Sequence, residues 1–273
     1  MNSITPWPTE RAAPWPADWL VDFHMHTGEG RDFAEFSAWL STDPPYSALP
    51  SAGMAAEANR LFDAVSFDQQ LSKHLLPIAG LHPWHADKGL AEVEALKPYL
   101  ERSPIIGEIG LDRPWCHVPL EEQLIVLRAQ LRLAGDWRRP VLLHSKGYEA
   151  ELLAELETFT EPVIVHWFSC EDSDILTAYI ERGAYFTLGP DNGAEAGTRE
   201  LWSRVSPDRI LLETDGLAAI AWAENPDSTD HNLTAPGLLA SLETRVEHYA
   251  RLHQLERQAV ISQIRLNVCT LLE

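Results

Sequence analysis

A chain of 273 residues with 45% hydrophobic and 23% charged side chains is the size of one α/β barrel and too evenly mixed to be disordered or fibrous. No run approaches 18 consecutive apolar residues, which argues against a helical membrane span. The net charge of −20, from 41 acidic against 21 basic residues, argues against a protein that grips nucleic acid along a broad basic stripe, and Arg138-Arg139 is the one adjacent basic pair. Any anionic substrate must then be attracted locally, for which bound metal ions are a ready source of positive charge.

Residues 1–19 contain two Trp-Pro pairs, Trp7-Pro8 and Trp15-Pro16, without a basic start or a continuous apolar core. They read as an irregular extension packed on the body and not as a secretion signal. Residues 20–273 read as one barrel domain. Short apolar runs ending in a polar residue lie at 20–26, 77–82, 104–112, 140–144, 162–166, 184–189 and 209–215. Val141-Leu142-Leu143 and Val163-Ile164-Val165 are apolar at every position, as in parallel strands covered on both faces. Amphipathic helices are expected between them at 120–134, 149–159, 174–182 and 198–205, with Gly183 placed to stop one, and two more across 236–272. This alternation predicts a parallel α/β fold, a TIM-type (β/α)8 barrel. Seven strands are visible, and the second is missing between Thr27 and Leu71. Ala64-Val65-Ser66-Phe67 is the best candidate for it and Asp43-Pro44-Pro45-Tyr46 is a loop signal, so the barrel is either complete with an unusual second unit or distorted there. The three cysteines, Cys116, Cys170 and Cys269, are odd in number and widely spaced, which points to free thiols in a reducing cytoplasm.

The chemistry-bearing residues fall at strand ends. Alternation along the first strand puts Asp22, His24 and His26 on one face and the apolar Val21, Phe23 and Met25 on the other. Two readings stand for this triplet: hydrogen-bonded core histidines, or a metal site at the barrel's active end. Further strands supply partners. Glu108, Gly110 and Asp112 share a face, with glycines leaving room for Glu108 to bridge two cations. His144 and His166 end neighbouring apolar strands at one height, and Asp215 stands at the rim of the last. Lys146 is either a substrate contact or a surface lysine opening the next helix. Asp112 reads as orienting its neighbours, and His85 and Cys170 as bystanders.

The motifs Asp22-Phe23-His24-Met25-His26, Gly80-Leu81-His82-Pro83, Gly107-Glu108-Ile109-Gly110-Leu111-Asp112, Pro140-Val141-Leu142-Leu143-His144-Ser145, His166-Trp167-Phe168-Ser169 and Glu213-Thr214-Asp215 occur in this order, with a looser match at Asn267. Together they make the chain resemble the TatD family of metal-dependent deoxyribonucleases, within the wider amidohydrolase group. The resemblance implies an α/β barrel with two divalent ions (magnesium, manganese or zinc). His24, His26 and Asp215 would hold one, and His144 and His166 the other, with Glu108 bridging and His82 touching substrate phosphate. On chemical grounds Asp215 is placed to accept the proton of the attacking water while remaining a ligand, and Lys146, in the first of its two readings, to neutralise a substrate oxygen. A cytoplasmic, monomeric phosphodiesterase acting on DNA ends is the expected function. A metal-dependent hydrolase of small esters, lactones or amides is the alternative, and a non-catalytic partner-binding barrel the reading from another class. The chain departs from the family pattern at Thr27-Gly28-Glu29-Gly30, Arg113-Pro114-Trp115, Cys170 and Gly216-Leu217-Ala218-Ala219. All of these fall in loops that would shape a substrate pocket, where specificity resides.

Overall fold

The strand–helix alternation is realised as eight parallel strands in chain order, in a computed structural model that describes residues 14–226 and 233–273. They are β1 (Leu20–Met25), β2 (Tyr46–Ala52), β3 (Ile78–Ala79), β4 (Ile106–Asp112), β5 (Val141–Lys146), β6 (Val163–His166), β7 (Tyr185–Leu188) and β8 (Ile210–Leu212). Outside them run α1 (Arg31–Leu40), α2 (Ala55–Phe67), α3 (Gln69–His74), α4 (Gly89–Leu100), α5 (Leu120–Trp137), α6 (Glu149–Glu155), α7 (Ser173–Glu181), α8 (Ala196–Arg204), α9 (Leu217–Glu224), α10 (Pro236–Leu252) and α11 (Arg257–Leu272). Between β8 and β1 the ring is drawn together by Asp215 N–H on the His24 carbonyl (3.1 Å) and Thr214 N–H on Asp22 Oδ1 (2.8 Å). The result is a TIM-type barrel. Among the described residues no helix is long and apolar enough to cross a membrane. The Trp7-Pro8 pair lies outside the described residues.

The second strand is not where the sequence pattern placed it. Residues 64–67 end α2, and the strand is Tyr46–Ala52, directly after the loop signal. Its small residues and Pro50 give it little intrinsic strand preference. Burial of all seven residues between neighbours holds it in place instead. The barrel is complete in eight strands and irregular here: the β1–β2 register shifts between Asp22 and Met25, and β3 is only two residues long.

Two apolar layers sit on either side of the strands. Leu20, Met25, Leu143, Val165 and Leu212 pack outward with the helices. Val21, Phe23, Leu49, Ile78, Leu142, Ile164 and Leu211 fill the axis, continuous with Trp15, Trp19 and the α11 residues Val268 and Leu271. Burying each such side chain is worth roughly 1.5–3 kcal/mol, which offsets the cost of desolvating polar groups above it. Two residues further along the same faces, His144 follows Leu142, His166 follows Ile164 and Glu213 follows Leu211. The polar layer therefore sits on the axis at the C-terminal end, roughly 7 Å above the apolar one.

This arrangement corrects the simple alternation along β1. The register shift is a bulge, which places one extra residue in β1. Val21 and Phe23 face the axis while Asp22 faces away, and the pattern inverts before Met25 returns to the outer layer. Close approach of β4 to β5 needs Gly110, where a Cβ would collide with the His144 carbonyl oxygen. Gly110→Ala is expected to cost about 2–4 kcal/mol, read as a fall of roughly 5–15 °C in Tm by calorimetry.

Candidate metal centre

Six of the sequence-predicted residues converge above the axial core. His24 Nε2 lies 3.2 Å from Glu108 Oε2 and 3.2 Å from Asp215 Oδ1. His26 Nε2 lies 3.3 Å and 3.7 Å from the same two oxygens. The other oxygen of Glu108 faces a second set: Oε1 is 2.6 Å from His144 Nδ1, 3.2 Å from His166 Nε2 and 3.6 Å from His82 Nε2. His144 and His166 are paired partners in the β5–β6 register, so they stand at one height. Glu108 is thus shared between two histidine sets, one per oxygen. Among the described residues, three groups of ligand atoms lie close enough to hold an ion: His24, His26 and Asp215; His24, Glu108 and His166; and His82, Glu108 and His144.

The donor set fits cations better than it fits itself. His24 is fully buried, yet neither of its ring nitrogens has a hydrogen-bond partner. Its Nε2 is near two carboxylates without alignment to either, as expected of atoms aimed at a common point. Buried imidazoles ordinarily find partners, so this orphaned ring argues for a ligand.

Supporting bonds then assign faces to the other rings. His144 Nε2 is 2.9 Å from Asp112 Oδ2, and His166 Nδ1 is 3.1 Å from Glu213 Oε2. Each carboxylate takes a ring N–H, so that once an ion displaces the proton toward Glu108, Nδ1 of His144 and Nε2 of His166 would be free to offer it lone pairs. His82 is turned the other way. Its Nδ1 accepts the Trp84 N–H (3.2 Å), so the neutral ring presents Nε2–H to the site as a donor. Burial pushes His82 down to about 4, which keeps that ring neutral at physiological pH.

Burial alone would make His24, His26 and His144 less basic. The carboxylates of Glu108, Asp215 and Asp112 outweigh it and hold all three rings above the ordinary imidazole range, His24 well above it. Burial works against ionisation of Glu108 and Asp215 too. The surrounding histidines nevertheless hold Glu108 well below the usual carboxylate range and bring Asp215 down to about 2. Without metal these rings therefore carry protons that an incoming cation must displace. Raised histidines stabilise the metal-free fold fully below their unfolded value of 6.5 and lose that contribution as pH rises through the folded values. The metal-free Tm is expected to fall between pH 6 and 9, and the stabilisation gained on adding manganese to grow over the same range. Thermal melts with chelator and with manganese check this, and a metal-induced shift larger at pH 6 than at pH 8 would contradict it.

Above the cluster opens a cavity of about 560 Å³, which Lys146, His85, Trp84, Trp115, Trp167 and Trp222 also line. Lys146 is not a surface lysine. It ends β5 buried, its ammonium bonded to the Trp167 carbonyl and to Ser169 Oγ, and burial lowers its pKa. Asp112 contacts His144, the Trp84 indole N–H (2.7 Å) and the Trp115 amide (2.9 Å). Asp22 stays apart from the cluster. It takes bonds from Tyr46 Oη (2.7 Å) and from Thr214 Oγ1 (2.5 Å), and burial raises it to about 7. Cys170 Sγ accepts the Asp172 amide 3.4 Å away and is absent from the residues lining the cavity. Glu213 and the four tryptophans were not picked out from sequence. Counting two residues on from the inward Leu211 would have found Glu213, whereas nothing in the spacing marks the tryptophans.

The sequence profile of the TatD-related DNases matches residues 21–273. The chain belongs to this family. A 3'-5' ssDNA/RNA exonuclease TatD from Erwinia amylovora is 30% identical over 160 residues, 56% of this chain and 62% of that protein. The exonuclease of the same name from Citrobacter koseri is 28% identical over 180 residues, 63% of this chain and 68% of that protein. The match thus spans about two thirds or less of these relatives' length. The fold is that of YJJV, a TatD homolog from Escherichia coli k12, with a TM-score of 0.74 at 20% identity, covering 94% of this chain and 98% of that one.

Proposed function

We propose that this TatD-family chain is a two-metal phosphodiesterase that trims the ends of single-stranded DNA. The observation that carries the reading is the division of Glu108, one oxygen toward His24 and His26 and the other toward His144 and His166. His24, His26 and Asp215 would hold one divalent ion, and His144 and His166 the second, with Glu108 serving both. Ions bound there would supply Lewis acidity to a phosphoryl oxygen and make a water more acidic.

The chain's own residues do the rest. Asp215 is ionised at any physiological pH and stands at the rim of the cluster, where it accepts the proton of the attacking water. His82 presents its Nε2–H, and Lys146 its ammonium, to non-bridging phosphate oxygens. Asp112 and Glu213 hold the His144 and His166 rings in the tautomers this needs. The names of the relatives above support nucleic acid as the substrate class.

The test is hydrolysis of a 5'-labelled single-stranded oligonucleotide by the chain loaded with magnesium, manganese or zinc, with a chelator control. Stepwise shortening that the chelator abolishes is the expected result, and no cleavage by folded, metal-filled protein would overturn the assignment. The acidic rim residues Glu57 and Glu195, with the net charge of −20, favour a second reading, a small ester or lactone as substrate. Higher kcat/KM on carboxylic esters than on phosphodiesters would select it.

A further inference from the structure

The cavity has an aromatic side that the hydrolytic residues do not use. Trp222 on α9 meets Trp167 edge-to-face, with ring centroids 5.8 Å apart at 73°, and meets Trp115 at 6.4 Å and 82°. Trp167 is fixed in place. Its indole N–H reaches Asp191 Oδ1 at 3.1 Å, and its ring lies against Gly189, where a Cβ would overlap it. The other two are large apolar side chains left open, Trp115 at 52% and Trp222 at 41% exposure, and both line the cavity. The series begins beside the hydrolytic cluster, since the Trp167 and His166 ring centroids are 6.4 Å apart.

The charge of the cavity is the second observation. Its rim carries Glu57 and Glu195, and its one lysine, Lys146, is tucked against the Trp167 ring at 5.4 Å. On a protein of net charge −20, a polyanionic strand gains little from phosphate contacts beyond the one at the reacting centre. Affinity must come from a part of the substrate that carries no charge. Aromatic side chains supply it by stacking on a flat heterocycle, tolerantly of which base is presented.

We propose that the open rings of Trp115 and Trp222, backed by the buried Trp167, form a stacking wall for the heterocyclic base of the nucleotide whose phosphate occupies the reacting centre. The wall makes this a site that recognises one or two nucleotides by their bases, not a strand by its backbone. The proposal rests on the phosphodiesterase reading.

Calorimetric titration of the full, magnesium-loaded chain with thymidine 5'-monophosphate and with deoxyribose 5-phosphate isolates the base, because both ligands carry one phosphate. The wild type is expected to bind the nucleotide roughly 5- to 100-fold more tightly, in line with base–aromatic stacking. Trp222→Ala and Trp115→Ala should each reduce that preference severalfold, and Trp222→Phe should keep most of it. The salt dependence of nucleotide binding should match about one phosphate contact, a log–log slope near −0.7. Equal affinity for the two ligands, including no measurable binding of either, overturns the wall. So does a preference unchanged in both alanine variants, of which Trp115→Ala alters an exposed loop and leaves the core intact. The cleavage assay above is scored separately. A chain that prefers the base but cleaves no phosphodiester keeps the wall and loses the reaction, and one that cleaves without base preference does the reverse.

Discussion

Glu108→Gln is expected to lower kcat/KM on a phosphodiester by on the order of 10³-fold or more, the scale of losing a preorganised electrostatic group. The side chain keeps its shape and loses its charge. In the native site Glu108 is almost completely buried and faces His24 and His26 through one oxygen and His82, His144 and His166 through the other. The amide retains one acceptor and turns an NH2 toward one of the two histidine sets. One ion would lose its carboxylate outright and the other would keep only a neutral oxygen, so metal content should fall to less than half of the wild-type value. Because the same charge opposes burial in holding up His24 and His144, those rings become less basic in the variant. Steady-state rates with manganese, paired with metal analysis of the same preparation, provide the check. Activity within tenfold of wild type would show that Glu108 does not join the two halves of the site.

Asp215→Asn is the second large effect, expected at about 10²- to 10⁴-fold in kcat with a smaller change in KM, as for removal of a general base. The substitution is informative because the backbone tolerates it. Asp215 lies at φ 55°, a left-handed conformation that asparagine adopts more readily than most residues. Its amide hydrogen bond to the His24 carbonyl belongs to the backbone and survives. Loss of activity in a protein with native Tm would then report the carboxylate and not the fold. The set of His144, His166 and Glu108 is untouched, so about one ion per chain should remain. A kcat within threefold of wild type would remove Asp215 from the reaction.

Much of the barrel was legible because parallel strands buried on both faces leave uninterrupted apolar runs. Seven of the eight strands were visible in this way, each ending near a polar residue. The eighth, Tyr46–Ala52, was hidden because its alanines, serines and Pro50 are held by tertiary packing that no local preference announces. The convergence of His24, His26, Glu108, His144, His166 and Asp215 was also readable, since a strand end fixes both the height and the face of its side chain. The same rule failed at Asp22. A bulge leaves no mark in composition, and one inserted residue was enough to turn Asp22 away to Tyr46 and Thr214.

Residues that act through others were harder to see. Glu213 was passed over beside Asp215, although its inward position follows from Leu211 and its partner, His166 Nδ1, is supplied by another strand. Trp115 lies in a loop that departs from the family pattern, Trp222 on α9 just after another departing segment, and Trp167 follows β6. Their meeting at one side of the cavity depends on loop geometry. A substrate preference set by that geometry would leave no mark in the strand-end motifs, which is why the reaction class was plainer from sequence than the molecule it acts on.

The central claim is that six side chains form a two-ion centre. Elemental analysis of the purified full chain, equilibrated with manganese or zinc and freed of unbound metal, tests it most directly. Close to two ions per chain are expected, falling to about one in Asp215→Asn. Folded wild-type protein that retains fewer than half an ion per chain after loading would contradict it.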